Sequence, residues 1–124
     1  MAATGRPRAR VRITAGAERD LAGIYRRRLA QRGAGGSDGA DALLDALVAA
    51  IESLSGFSRR GPVPPELKVL GIHDYRQLSH PPFRIIYLLE EVRSDISATV
   101  MIVADSRRDF RTLLEERLLL SGGN

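Results

Sequence analysis

The sequence predicts an α+β domain in which two helices pack as an antiparallel hairpin on a small antiparallel sheet. In the first half, apolar residues recur at helical spacing in two segments joined by the glycine-rich stretch GAGGSDG. In the second half, three β-rich segments follow one another with short links, as in an antiparallel meander. Helical spacing then returns, so the expected element order is β, α, α, β, β, β, α.

The chain length of 124 residues favours one domain with one core. We expect this domain to span residues 10–120, preceded by a disordered basic arm at residues 1–9 and followed by a flexible tail at residues 121–124. The absence of cysteine excludes disulfides and thiolate metal sites and fits a cytoplasmic location. No apolar run approaches the roughly 18–20 residues of a membrane span, so no membrane association is expected.

The charge pattern points to anionic partners. The net charge is +4, and almost all the positive charge is arginine, because Lys68 is the only lysine. A guanidinium group offers a planar set of donors that matches phosphate and carboxylate groups. A small arginine-rich domain is therefore a candidate for binding nucleic acid or an acidic protein, although a mildly basic surface without a partner explains the composition equally well.

Periodicity predicts the first three elements. RVRIT, residues 10–14, alternates like a short strand, with Val11 and Ile13 on one face. The first helix then begins near Thr14, which is a suitable cap, and the second helix ends at Gly56. The predicted buried stripes are Ala17, Leu21, Ile24, Tyr25 and Arg28 in the first helix and Leu43, Leu47, Ile51 and Leu54 in the second.

Prolines at positions 62, 64 and 65 exclude a helix or a central strand from SRRGPVPPEL, residues 58–67. We expect an extended crossing segment there. The strands of the meander are predicted at residues 72–78, 83–91 and 96–104. Alternation in the middle strand places Arg84 on the same face as Ile86 and Leu88.

Two adjacent arginines open the last predicted helix. The stretch S-R-R-D matches a capping box, with Ser106 and Asp109 as caps. Arg107 and Arg108 would then occupy the first helical turn, where each cation costs about 0.3–1 kcal/mol. We therefore predict that this pair serves an anionic partner, either a phosphate group or a carboxylate of another protein. The alternative is that Asp109 and the preceding Asp105 neutralise the pair.

Four further arginines join this pair as predicted contacts for a target or a protein partner. Arg76 and Arg84 lie inside predicted strands, and we expect them to converge with the pair on one open face of the sheet. Ion pairs with Asp74 or Glu90 are the alternative. Two more arginines lie in the proline-rich segment. The full predicted set is Arg59, Arg60, Arg76, Arg84, Arg107 and Arg108.

The sequence contains no motif for a metal site or for a catalytic nucleophile. The two histidines, His73 and His80, lack acidic residues at ligand spacing, so we predict no metal site and no cofactor. The chain has neither a glycine-rich phosphate loop nor a serine nucleophile elbow.

Taken in order, the motifs resemble the ParE/RelE family of toxins from bacterial type II toxin–antitoxin systems. The resemblance spans residues 11–119 and is carried by RRGPVPPEL, DYRQL, FRIIYLL and the β-rich strand that leads into SRRD. It implies the family fold, a helical hairpin packed on a small antiparallel sheet. It also implies a cognate antitoxin, which is usually acidic. Operator DNA would then be contacted only through this antitoxin.

The resemblance leaves the target open between two branches. ParE-like members poison DNA gyrase without hydrolysis of their own, whereas RelE-like members are ribosome-dependent ribonucleases that cut mRNA. If this chain were a ribonuclease, Arg76, Arg84 and Arg107 would clamp the phosphate. Glu66 or His80 would then have to transfer protons, because arginine is a poor general base.

Three hypotheses follow from this resemblance. The preferred one is a cytoplasmic ParE-like toxin that inhibits growth by poisoning gyrase and is neutralised by an antitoxin. The second is a RelE-like ribosome-dependent mRNA endonuclease, and the third is a non-toxic binding module on the same fold. The leucine-rich stretch at residues 118–120 either docks a partner or covers one side of the sheet.

Overall fold

A four-stranded sheet forms the centre of the computed structural model, which describes residues 8–32 and 37–120. Its strands are β1 (Ala9–Ile13), β2 (Tyr75–His80), β3 (Phe83–Val92) and β4 (Asp95–Asp105), in the spatial order β1-β4-β3-β2. Strands β2, β3 and β4 form the predicted antiparallel meander. Strand β1 pairs parallel with β4, so the sheet is mixed.

Two long helices, α1 (Ala15–Arg32) and α2 (Ser37–Glu52), follow β1 and cover one face of the sheet. The Thr14 hydroxyl accepts a hydrogen bond from the Ala17 N–H at 3.1 Å, which confirms the predicted cap of α1. The Tyr25 hydroxyl donates to Asp41 at 2.7 Å and so joins the two helices at the surface. Helix α2 ends before the predicted Gly56, which lies instead in the one-turn helix α3 (Leu54–Phe57).

The first core cluster lies between these helices and the sheet. The predicted helical stripes supply six of its twelve buried members. Tyr25, Arg28 and Leu43, which were also predicted to be buried, are only half-buried, and Ile13 of the edge strand β1 is 38% exposed. The buried members of this cluster are Ala17, Leu21, Ile24, Leu47, Ile51, Leu54, Phe83, Ile85, Tyr87, Ala98, Val100 and Val103. The predicted alternation of β3 is confirmed, since Ile86 and Leu88, which share a face with Arg84, pack on the opposite side of the sheet from this cluster.

A second core cluster covers the opposite face of the sheet. Helix α5 (Phe110–Leu114) continues into the π-helical turn Glu115–Leu120, and both pack with the short helix α4 (Pro65–Lys68) against β3 and β4. Leu118 is 5% exposed in this cluster, so the end of the last helix covers the sheet at that position. The sheet is therefore a central layer between two apolar interfaces.

Helix α4 corrects the expectation that the proline-rich segment excludes helix. Pro65 occupies the first helical position, where its missing N–H is not needed and its fixed φ suits the helix. Gly71, at φ 75°, then reverses the chain, and the Ile72 N–H bonds back to the Leu67 carbonyl at 3.0 Å. This turn delays β2, which begins at Tyr75 rather than at the predicted position 72.

The predicted ends of the domain fall almost entirely outside the described residues. The arm expected at residues 1–9 lies outside them except for its last two residues, and Ala9 already begins β1. The tail expected at residues 121–124 also lies outside them. None of the helices in the described part of the chain combines the length and the apolar character that crossing a membrane requires.

Candidate functional site

Arg84 forms the most completely bonded charged site in the sheet. The side chain leaves β3 on the face that carries the second core cluster. Both terminal nitrogens donate to the two carboxylate oxygens of Glu66 at 2.9 Å, and Nε donates to the side-chain oxygen of Gln77 at 3.0 Å. The guanidinium also stacks over the Phe110 ring, 4.0 Å from its centroid. Arg84 is therefore paired, but with α4 rather than with the expected Asp74 or Glu90.

Glu66 is held as a carboxylate by this pairing. Hydrogen bonds donated by Arg84 lower the pKa of Glu66 below its usual value, and burial opposes the shift only in part. The position of Glu66 in the first turn of α4 also favours negative charge. A carboxylate with a lowered pKa is a weak general base at neutral pH, because it binds the abstracted proton poorly.

We expect the Glu66→Gln variant to be less stable than the wild type at pH 7, with a difference that shrinks in acid. A lowered folded-state pKa contributes stability above the unfolded value of about 4.5, and this contribution is lost as the pH falls through the folded pKa. The melting temperatures of the wild type and of Glu66→Gln, compared between pH 7 and pH 3, measure how this stability difference changes with pH. Glu52→Gln, an exposed change at the end of α2, is the control, and a Glu66→Gln deficit that does not change with pH would contradict the assignment.

Arg76 lies on the other face of the sheet, so the expected convergence of arginines is wrong. The antiparallel register pairs Arg76 with Tyr87, which faces the helical hairpin, and pairs Arg84 with Ser79. One terminal nitrogen of Arg76 donates to the Gly61 carbonyl at 3.1 Å. Its Nε is buried without a hydrogen-bond partner among the described residues. Arg76 thus supports the crossing segment from the sheet instead of joining Arg84.

The crossing segment is anchored at Gly61, where it approaches the sheet too closely for any side chain. A Cβ at this position would lie 2.1 Å from the Gln77 carbonyl oxygen and 2.9 Å from the Tyr87 hydroxyl. The Tyr87 hydroxyl donates to the Ser58 carbonyl at 2.6 Å, and the Gln77 N–H donates to the Pro62 carbonyl at 2.8 Å. The segment therefore covers the outer edge of β2, which would otherwise expose unpaired backbone groups.

The two arginines of this segment are exposed and locally satisfied. Arg59 forms an ion pair with Glu91 at the far end of β3. The Arg60 guanidinium lies over the Phe57 ring, 5.4 Å from its centroid. Exposed contacts of this kind stabilise a fold only slightly, and a binding partner can replace them at small cost.

The last helix begins later than predicted, because Asp109 caps it. The Asp109 carboxylate accepts from the Thr112 N–H at 3.3 Å and from the Thr112 hydroxyl at 2.8 Å, so α5 starts at Phe110. Ser106, the other predicted cap, instead donates its backbone N–H to the Pro82 carbonyl at 2.7 Å. The predicted helix start at Ser106 is therefore wrong, whereas anion binding by Arg107 and Arg108 stays a prediction.

Arg107 and Arg108 lie in the turn that precedes α5, not in its first helical turn. Arg107 donates from Nε to one oxygen of Asp105 at 2.9 Å and from a terminal nitrogen to the other at 2.7 Å. These bonds lower the pKa of Asp105 to about 2. The neutralisation considered as an alternative is thus present for Arg107, while Arg108 is exposed and makes no side-chain hydrogen bond or ion pair within the described residues.

Comparison with known proteins identifies the family. The family model described as the ParE toxin of the type II toxin–antitoxin system, parDE, matches residues 11–110 of this chain. The chain belongs to the ParE toxin family. It is a ParE-family toxin of a type II toxin–antitoxin system, as the resemblance predicted. No curated protein matches the chain.

Two solved toxin–antitoxin structures resemble this ParE-family toxin in fold. The chromosomal ParDE system from P. aeruginosa matches with a TM-score of 0.58 and 17% identity, covering 78% of this chain and 95% of the other. The RelBE2 complex from Mycobacterium tuberculosis matches with a TM-score of 0.52 and 20% identity, covering 79% and 98%. These matches confirm the predicted α+β fold class, a helical hairpin on a small sheet with a C-terminal helix.

The ParE-family toxin also holds a partly buried ionic site that reasoning from the sequence missed. Arg117 donates to both carboxylate oxygens of Asp20 at 3.1 Å and to the Met101 carbonyl at 2.9 Å. Asp20 also accepts the Val103 N–H at 3.0 Å. This cluster joins α1, β4 and the π-helical turn. The signal in the sequence was a charged residue at a core position of each helix, Asp20 beside Leu21 and Arg117 within the last apolar stripe.

Proposed function

We propose that this ParE-family toxin acts in the cytoplasm by inhibiting DNA gyrase, does not itself cleave RNA, and is neutralised by a cognate antitoxin. The observation that carries the proposal is the Arg84–Glu66 pair. Arg84 is one of the three arginines expected to clamp a phosphate in a ribonuclease, yet its guanidinium is bonded along two edges and covered by Phe110. An RNA phosphate would have to displace the Glu66 carboxylate before it could bind.

The two groups expected to transfer protons in a ribonuclease, Glu66 and His80, are also poorly placed for that role. Glu66 is engaged by Arg84, and its pKa is lowered. His80, the other expected group, pairs in register with Phe83 and so lies on the face of the hairpin, opposite the Arg84 face. Cleavage by way of the 2′-hydroxyl needs a base and an acid beside the same phosphate. The separation of these groups supports the gyrase branch over the ribonuclease branch.

A cognate antitoxin is proposed as the second partner, and operator DNA as a contact of the antitoxin only. The exposed arginines of the predicted set, Arg59, Arg60, Arg107 and Arg108, offer cationic contacts to an acidic segment. The contacts of Arg59, Arg60 and Arg107 lie at the surface, where a partner carboxylate can replace them. The two matched solved structures are themselves a ParDE system and a RelBE2 toxin–antitoxin complex.

Two assays on the purified toxin test the proposal. We expect it to block DNA supercoiling by gyrase and to leave mRNA intact on translating ribosomes. The control is the same toxin preincubated with the protein from the adjacent small gene, which should restore supercoiling. Codon-dependent mRNA cleavage with unaffected supercoiling would establish the RelE-like alternative instead. Inactivity in both assays, together with normal growth on induced expression, would favour the non-toxic binding module.

A further inference from the structure

A small basic pocket lies between the C-terminal half of α1 and the turn that follows β4. It encloses about 130 Å³. The charged groups in its lining are Arg27 and Arg28 from α1 and Asp105 and Arg107 from the end of β4 and the turn. Elements distant in sequence thus bring three guanidinium groups and one carboxylate to a single concave space, which we call the α1–β4 pocket.

The arginines of α1 keep hydrogen-bond donors available in this pocket, although the charge of Arg27 contributes to the lowered pKa of Asp105. Within the described residues, neither Arg27 nor Arg28 makes a side-chain hydrogen bond or an ion pair shorter than 4 Å. Arg107 differs, because it already binds both oxygens of Asp105. The pocket therefore keeps an excess of two positive charges, and its unsatisfied donors lie on one wall.

We propose that the α1–β4 pocket binds a phosphodiester group of a nucleic acid, with Arg27 and Arg28 as its donors. Guanidinium groups bind phosphate oxygens through paired hydrogen bonds, and one phosphodiester carries a single negative charge that the excess of two accommodates. This site is distinct from the Arg84 site and is not implied by gyrase inhibition. The two proposals can therefore fail separately.

The size of the pocket selects the backbone of a nucleic acid over its bases. A cavity of about 150 Å³ holds a benzene molecule, so a pocket slightly smaller admits a phosphate group but not a nucleoside. The aromatic residue in the lining, Phe83, is only 7% exposed and offers no ring on which a base could stack. Binding is therefore independent of sequence and dominated by charge.

The surroundings favour a polyanion over a single carboxylate. The pocket already contains a carboxylate, Asp105, which stays ionised because Arg107 lowers its pKa. Exposed arginines adjoin the pocket residues in sequence on both walls, Arg26 on α1 and Arg108 on the turn. A chain with evenly spaced phosphates can use these flanking cations as well, whereas an isolated side-chain carboxylate cannot.

Binding of labelled oligonucleotides to the full-length toxin tests this inference. Fluorescence anisotropy with duplex DNA and with single-stranded RNA is measured at several salt concentrations for the wild type and for Arg27→Gln combined with Arg28→Gln. We expect affinity at low salt to fall about tenfold and the slope of log K against log salt to shrink by about 1 to 2 for DNA. The RNA arm shows which nucleic acid binds more tightly.

The matched control is Arg10→Gln combined with Arg12→Gln, which removes the same charge from exposed positions on β1. We expect this control to lose less than about threefold in affinity, since Arg10 and Arg12 line a separate pocket in which Glu90 and Asp95 offset most of the arginine charge. Equal losses in the two double variants, or none in the first, would overturn the inference. Displacement of the nucleic acid by oligoglutamate at lower concentrations than by unlabelled oligonucleotide would also overturn it and would identify a carboxylate site. Circular dichroism confirms that both variants are folded.

Discussion

Gly61→Ala is expected to lower the free energy of unfolding by about 3 kcal/mol, because the added methyl group overlaps backbone. The Cβ would lie 2.1 Å from the carbonyl oxygen of Gln77, which belongs to β2 and cannot retreat without disturbing its pairing with β3. The crossing segment must therefore move away. It would then lose the Tyr87–Ser58 bond and the Arg76 bond to the Gly61 carbonyl.

Chemical denaturation of the variant and of a matched control measures this effect. Gly56→Ala is the control, since a Cβ there meets no atom within 4 Å and the residue lies in helix α3. Alanine should raise stability at that position by about 0.5–1 kcal/mol through the lower entropy of the unfolded chain. A Gly61→Ala protein as stable as the wild type would show that the crossing segment does not contact β2 as described.

Asp20→Ala is expected to cost about 3 kcal/mol, since it leaves a partly buried arginine and a strand N–H without their acceptor. The Asp20 and Arg117 side chains are 18% and 27% exposed, so water replaces the lost carboxylate only in part. The Val103 N–H, which bonds to Asp20, lies in β4. Loss of this one side chain therefore loosens three elements together.

A double-mutant cycle assigns this cost to the pair. Arg117→Met keeps most of the apolar volume and removes the charge, and the double variant with Asp20→Ala should lose clearly less than the sum of the single losses. Asp45→Ala, an exposed aspartate of α2, is the control and should stay within about 0.5 kcal/mol of the wild type. Additive losses in the cycle would show that Asp20 and Arg117 act independently.

Local pattern was enough to predict most elements, because burial on one face dictates the spacing of apolar residues. The apolar members of the α1 stripe and the alternating residues of β3 are buried as that rule requires, whereas Tyr25 and Arg28 of the predicted stripe are only half-buried. The shape of the proline-rich segment was harder to predict, since proline both ends helices and begins them. The hydrogen bonds from the Lys68 N–H to the Pro64 carbonyl at 2.9 Å and from the Val69 N–H to the Pro65 carbonyl at 3.3 Å show that Pro65 begins one here.

Which charged residues lie together depends on tertiary contacts that local sequence patterns do not determine. Whether Arg76 and Arg84 share a face depends on the register of β2 against β3, and a shift of one residue would have reversed the answer. Ser106 and Asp109 are both good caps, and the choice between them follows from a bond between Ser106 and Pro82. The partners Asp20 and Arg117 come from opposite ends of the chain, so local spacing could not pair them.

The parallel pairing of β1 with β4 has a consequence for biosynthesis. Of the four described strands, the first to leave the ribosome lies beside the last, with Ala9 next to Ile96. Until β4 emerges, β1 has no neighbour in the sheet, and closing so long a loop carries an entropic cost. The nascent chain therefore cannot complete this sheet until β4, the last of the four strands in sequence, has left the ribosome, which delays the appearance of the folded toxin domain during synthesis.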